Sequence, residues 1–222
     1  MLIVERKGIV YELDENTKTG KVKYSDCMIQ EAVIPKSING YIINEIASKA
    51  FFHDEKLKSV VIPNTVQKIK NSCFEGCKRL KSVNQNKDLQ AKNIGFYAFK
   101  DCGIRSLSLP SIETIGKGAF ENCKDLLLLC IPEESISVLE EDVFKDCNSL
   151  QEFYFPRTLQ KAKNNFQNCF NMKKMVFYNP NLEVIPFIKN ISKDVILFGE
   201  QGSKVQEMAL YGFHFMLMDF MN

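Results

Sequence analysis

The chain has 222 residues, a formal net charge of +2, 25% charged and 45% hydrophobic residues, no Trp and only two His, His53 and His214. This balance is that of an ordinary globular protein and lacks the basic excess expected of a nucleic-acid-binding domain. No apolar run approaches the roughly 18 residues needed to span a bilayer, and Glu5, Arg6 and Lys7 interrupt the first apolar run, so no secretory signal peptide is read there.

In chain order, "GIVYEL" (8–13) and "KVKYS" (21–25) alternate as strands around the turn "DENTKTG". They predict a β-hairpin cap within residues 1–30. From 31 to 198 one phrase then recurs. Its sharpest forms are "FEGCKRL" (74–80), "FENCKDL" (120–126) and "FKDCNSL" (144–150). Phe51, Phe74, Phe99, Phe120, Phe144 and Phe166 head six imperfect copies. Cys77, Cys102, Cys123, Cys147 and Cys169 follow five of these Phe, and Asp54 takes the Cys place in the first. The Cys steps are 25, 21, 24 and 22 residues, a period in the range of leucine-rich repeats.

Each unit reads as a short strand (Leu57, Val60, Ile62) stopped by Pro63, a polar loop returning at Ile69, and a Phe–Cys segment expected to form a short helical turn. One unit cannot bury its apolar face alone, but a stack can. The strand-ending Ile-Pro is missing at "SVNQNKDLQ" (82–90), and the repeat fades after Phe177. At the C-terminal end, 199–222, a helix–strand cap is expected. Ser203 and Gln206 suit a capping box, Val205, Met208 and Ala209 share a helical face, Gly212 suits the C-terminal cap, and Phe213, Phe215 and Leu217 share one side of a last strand. The expected fold is thus an α/β solenoid: one domain over 1–222, with one parallel sheet whose strands lie about 4.8 Å apart.

The pattern I-x3-AF-x2-C-x2-L-x2-[VIL]-x-[IVL]-P, clearest from Ile115 to Pro132, resembles the BspA-like leucine-rich repeat proteins, and so do the entry "GIVYEL" and the exit "LFGEQGSKVQEMALYGFHF". The resemblance covers roughly residues 8–217. It implies a surface-exposed or secreted protein that binds host molecules or other cells, with no catalytic residues and no cofactor. A natural start at Met1 would instead imply the cytoplasm.

The eight thiols raise three other possibilities. Stacked equivalent Cys would have Cβ atoms about 4.8 Å apart or more, wider than the roughly 3.5–4.5 Å a disulfide needs. Only Cys73 and Cys77 approach metal-ligand spacing, and Cys73 fills a small buried place held elsewhere by Ala50, Ala98 and Ala119. A nucleophile needs a nearby base, and His53 beside Cys77 is the sole arrangement within reach. The reading that remains is a small buried hydrophobe. Cys27 falls in the connection from cap to repeats, and Cys130 lies on the outward phase of its strand.

Solenoids bind through an extended concave face. Alternation places Ser59, Ser82, Ser106, Leu128, Glu152 and Lys174 in one outward row, and Val61, Asn84, Ser108, Cys130, Tyr154 and Val176 in a second. The candidate ligand-binding residues are Leu128, Cys130, Glu152, Tyr154, Lys174 and Val176, with Tyr154 as anchor. A third row, Lys58, Lys81, Arg105, Leu127, Gln151 and Lys173, is largely basic: either a stripe for an acidic ligand or a solvated edge. The expected function is non-enzymatic recognition of a protein or glycan, with no nucleic acid. The alternatives are a structural spacer and a thiol-dependent enzyme. The chain is expected to be a monomer, with its apolar tail (Met216, Met218, Phe220) the route to a dimer.

Overall fold

The computed structural model describes residues 1–183 and 191–218. The cap has three antiparallel strands: β1 (Leu2–Arg6), β2 (Ile9–Asp14) and β3 (Thr19–Ser25). The sequence reading missed β1, because only Val4 among its side chains is even half-buried and no alternation results. Lys7 and Gly8, both left-handed, turn β1 into β2.

The repeats follow as β4 (Glu31–Val33), β5 (Ser37–Ile38), β6 (Tyr41–Ile46), β7 (Ser59–Val61), β8 (Lys68–Ile69) and β9 (Ser82–Val83). Next come β10 (Asn93–Ile94), β11 (Ser106–Ser108), β12 (Thr114–Ile115), β13 (Leu128–Cys130), β14 (Val138–Leu139) and β15 (Glu152–Phe155). The last are β16 (Lys161–Ala162), β17 (Lys174–Phe177), β18 (Ile196–Gly199) and β19 (His214–Leu217).

Apart from β5, which pairs antiparallel with β6, these strands form two parallel columns, and a third column of turns closes the solenoid. The first column is not the single sheet expected. It is hydrogen-bonded in three sections, β4-β7-β9, β11-β13 and β15-β17-β18-β19. The second column continues the cap as β3-β6-β8-β10-β12 and resumes as β14-β16.

The first break has a local cause. Where the Ile-Pro is missing, Asn84 and Gln85 turn left-handed and form a 3-10 turn over Asn84–Asn86. Asn84 Oδ1 accepts the Ile62 N–H at 2.6 Å, and the chain rejoins the next rung through Leu89 N–H to the Ser108 carbonyl. The following rung stays close because residue 103 is glycine: a Cβ there would lie 2.5 Å from the Lys78 carbonyl oxygen.

The second break, between the rungs of Leu129 and Phe153, interrupts both strand columns. Phe153 and Phe155 bury two rings, centroids 4.8 Å apart, where the preceding rung has Leu129 and Ile131. This added volume accounts for the spreading of the rungs.

The turn column is continuous where the strands are not. Its Phe rings stack in sequence, with centroids 5.0, 5.2, 5.5, 6.1 and 5.4 Å apart from Phe51 to Phe166. The widest step crosses the second break. The turns are not helical, contrary to expectation. Positions two before and two after the first five ladder Phe, such as Lys49 and His53, Ser72 and Gly76, or Tyr97 and Asp101, are left-handed with φ between 54° and 79°, and at Phe166 the position two after, Asn168, is left-handed too. A left-handed residue every fourth position cannot continue an α-helix.

The C-terminal cap likewise lacks an α-helix. Gln206–Tyr211 is a 3-10 segment ending at left-handed Gly212. Gln206 Oε1 accepts the N–H of Gly202, while the buried Ser203 hydroxyl has no partner, so the capping box does not form. Val205 and Met208 are buried but Ala209 is exposed. The chain is therefore a β-solenoid rather than an α/β one. No helix among the described residues is long and apolar enough to cross a membrane.

Candidate binding face

The repeat thiols build the interior. Each ladder thiol donates to the carbonyl of the Phe one rung earlier: Cys77 to Phe51 at 2.9 Å, Cys102 to Phe74 at 3.0 Å, Cys123 to Phe99 at 3.0 Å, Cys147 to Phe120 at 3.1 Å and Cys169 to Phe144 at 3.0 Å. All eight cysteines are free. Burial pushes the Cys73, Cys102 and Cys147 thiols well above their ordinary range, and Cys123 and Cys169 up to about 12. These groups resist becoming the thiolate that nucleophilic chemistry requires. Cys77 is engaged with Phe51, and no hydrogen bond among the described residues joins it to exposed His53.

The first strand column turns its other side outward, and register fixes the rows. Ser59 aligns with Ser82, Ser106 with Leu128, and Glu152 with Lys174, Ile196 and His214. Ser108 aligns with Cys130, and Tyr154 with Val176, Phe198 and Met216. The open face thus continues past the predicted rows to Phe198 and Met216, which sequence reading missed because the repeat pattern had faded.

Of the six candidate residues, Leu128 (42% exposed) and Cys130 stand outward as expected. Val176 does not: it is 5% exposed, lodged between Tyr154 and Phe198 on the flanking strands. Glu152 and Lys174 hold Tyr154. The Tyr154 hydroxyl donates to Glu152 Oε2 at 2.8 Å, and Lys174 Nζ donates to the Tyr154 oxygen at 3.2 Å. Lys174 Nζ also lies 5.2 Å from the ring centres of both Tyr154 and Phe198. The hydrogen bond to Tyr154 is the first cause of a Lys174 pKa above the ordinary lysine value. Tyr154 is thereby fixed in orientation, which lowers the entropy it would lose on contact.

A cleft of about 230 Å³ opens at the second break, where no strand pairing joins β13 to β15. Leu128, Cys130, Ile131, Tyr154, Pro156 and Tyr178 line it, with Glu133 at its edge. Burial, then the Glu133 charge, raises the Tyr178 phenol pKa. Tyr178 escaped the sequence reading because it occupies the place of the strand-ending Pro. Three of the six predicted residues therefore line one cleft, two position its aromatic wall, and one is buried.

The comparisons with known proteins agree with this architecture. The model of the BspA type leucine rich repeat region matches six copies over residues 44–173. A search of curated proteins returns no match. Among solved structures, a leucine rich cell surface protein of Faecalibacterium prausnitzii superposes with a TM-score of 0.60 at 20% identity, over 81% of this chain and 55% of that one. The pneumococcal vaccine antigen PcpA gives 0.63 at 17% identity, over 88% of this chain and 66% of that one. A T. pallidum leucine rich repeat protein gives 0.52 at 22% identity, over 78% and 70%. The chain thus spans between about half and two thirds of the length of the first two of these proteins. With its six matched repeats covering more than half of its residues, this chain belongs to the BspA-type leucine-rich repeat family.

Proposed function

We propose that this chain is a non-enzymatic binding module, acting as one unit at a cell surface, that recognises a protein partner through the open face of its first strand column. The cleft between β13 and β15 carries this reading. It combines exposed apolar side chains with a tyrosine already held in place, at a rung boundary where both strand columns part. Tyrosine anchors seated in apolar recesses dominate many protein interfaces. The raised pKa of the ladder thiols supports a scaffold rather than a thiol-dependent enzyme. The likeness to a cell surface protein supports the setting.

The test is a double variant, Leu128→Ser with Tyr154→Ala, used against partners captured by the native chain. Binding should fall at least about tenfold, since losing one anchor is worth 2 kcal/mol or more. The chain should stay folded, with a modest fall in melting temperature because Tyr154→Ala uncovers Val176. Full binding by the double variant rejects the cleft.

A further inference from the structure

Several lysines of this protein form ion pairs between rungs. Along the second strand column and the turns, cations and carboxylates of neighbouring rungs pair: Lys92–Glu113 at 2.8 Å, Lys117–Glu141 at 3.0 Å, Lys163–Glu140 at 2.6 Å and Lys100–Glu121 at 3.2 Å. The corner where the turns run into the first strand column is different. Lys58, Lys78, Arg79, Lys81 and Arg105 are all exposed there, and among the described residues none of them meets a carboxylate within ion-pair distance.

The backbone holds these five cations together. Lys81 N–H bonds the Lys58 carbonyl at 3.0 Å, and Gly103 packs against the Lys78 and Leu80 carbonyls, bringing Arg105 onto the next rung. The five cations thus lie on three successive rungs of the stack. Acids bound the patch without pairing with these cations: Asp101 and Asp125 share a recess with Lys78, Glu55 and Asp88 are exposed, Asp54 is buried, and Glu31 lies one rung away, in register with Ser59.

We propose that this corner docks a polyanionic glycan, carboxylated or sulfated. The cations supply charge complementarity. The strand positions beside them, Ser59, Ser82, Ser106 and Ser108, offer hydroxyl groups to sugar hydroxyls. A protein partner would want an apolar anchor, and between Ser59 and Ser108 these rows carry only half-buried Val61, the exposed Val33 and Leu128 lying one rung outside at either end. A single-stranded nucleic acid would want aromatic side chains on which to stack its bases, and these rows have none. The proposal is independent of the apolar cleft, which lies on later rungs.

The test uses immobilised heparin (sulfated), alginate (carboxylated only) and neutral dextran, with the whole chain, at about 0.05 M and 0.5 M NaCl, salts that bracket strong and weak screening. Retention on heparin or alginate but not dextran, lost at the higher salt, is the expected result. The triple variant Lys58→Gln, Lys81→Gln, Arg105→Gln should weaken it about tenfold or more, as expected when several charge contacts to a polyanion are removed. A control triple with the same charge change, Lys92→Gln, Lys117→Gln, Lys163→Gln, should bind as the native chain does. So should Leu128→Ser with Tyr154→Ala. Equal losses in both triples would reduce the effect to net charge and overturn the proposal. So would poly-glutamate or single-stranded DNA binding more tightly than either glycan. Circular dichroism confirms that each variant is folded.

Discussion

The turn column and the first strand column are made from the same rungs, yet they behave differently. At the boundary after Leu129 the turns stay joined: Phe120 N–H bonds the Val143 carbonyl at 3.0 Å, and the Cys147 thiol reaches the Phe120 carbonyl at 3.1 Å. Both strand columns part at the same boundary. The turns repeat nearly the same residues at every step, whereas the open strand face changes from hydroxyls to apolar groups along the stack. The lesson is a division of labour. In a solenoid each unit is stabilised mainly by its neighbours, and here that coupling runs through the turns. The strands are then free to vary what they display.

The largest expected effect tests that division directly. Phe120 is fully buried at the widest step of the ring stack, and Phe120→Ala should cost about 3–5 kcal/mol in urea unfolding. Leu128→Ser, on the open face of the same rung, should stay within about 0.5 kcal/mol of the native chain. Comparable costs for the two would erase the distinction between columns.

A smaller effect should come from the thiol ladder. Cys123→Ala removes one S–H donor and leaves the buried Phe99 carbonyl without it, together with a small void. The expected loss is about 1–2 kcal/mol. Cys123→Ser keeps a donor in the same place, so it isolates the hydrogen bond from the packing of sulfur. A serine variant less stable than the alanine variant would show that the place wants a hydrophobe and that the bond contributes little.

The ladder also shows what was legible in the sequence. The period, the Phe stack and the burial of the Cys follow from repetition alone. The left-handed turns were legible too, but were not read. The residue before each ladder Cys is Gly76, Asp101, Asn122, Asp146 and Asn168, types that tolerate positive φ, and this pattern argues against the short helix. Other features depend on contacts between rungs, which no single repeat encodes. Val176 is covered by its neighbours Tyr154 and Phe198, and the β13–β15 break follows from two Phe where the preceding rung has Leu and Ile. Tyr178 joined the cleft from a position that reads as a failed copy of Pro. Phe220 and the segment 184–190 lie outside the described residues.

The one altered step of the ladder gives the smallest and sharpest test. Asp54 stands where the other rungs have Cys. Its Oδ1 accepts the N–H groups of Lys56 at 3.0 Å and Leu57 at 3.1 Å, while the buried Oδ2 has no partner. Burial raises its pKa, the Asp26 charge adds to the rise, and the two N–H groups oppose it. A carboxyl whose folded pKa lies above its unfolded value favours folding while protonated. That contribution is complete below the unfolded value of about 3.9 and is lost as pH rises through the higher folded value. Asp54→Asn retains the acceptor for Lys56 and Leu57 and cannot ionise. The variant should therefore melt above the native chain at pH 7, by less than Cys123→Ala lowers it, and the gap should narrow as pH falls toward 4. A native chain that gains on the variant as pH rises would mean that the carboxylate is stabilised in place. Asp54 would then be a working cap of its own rather than a tolerated substitute for the thiol.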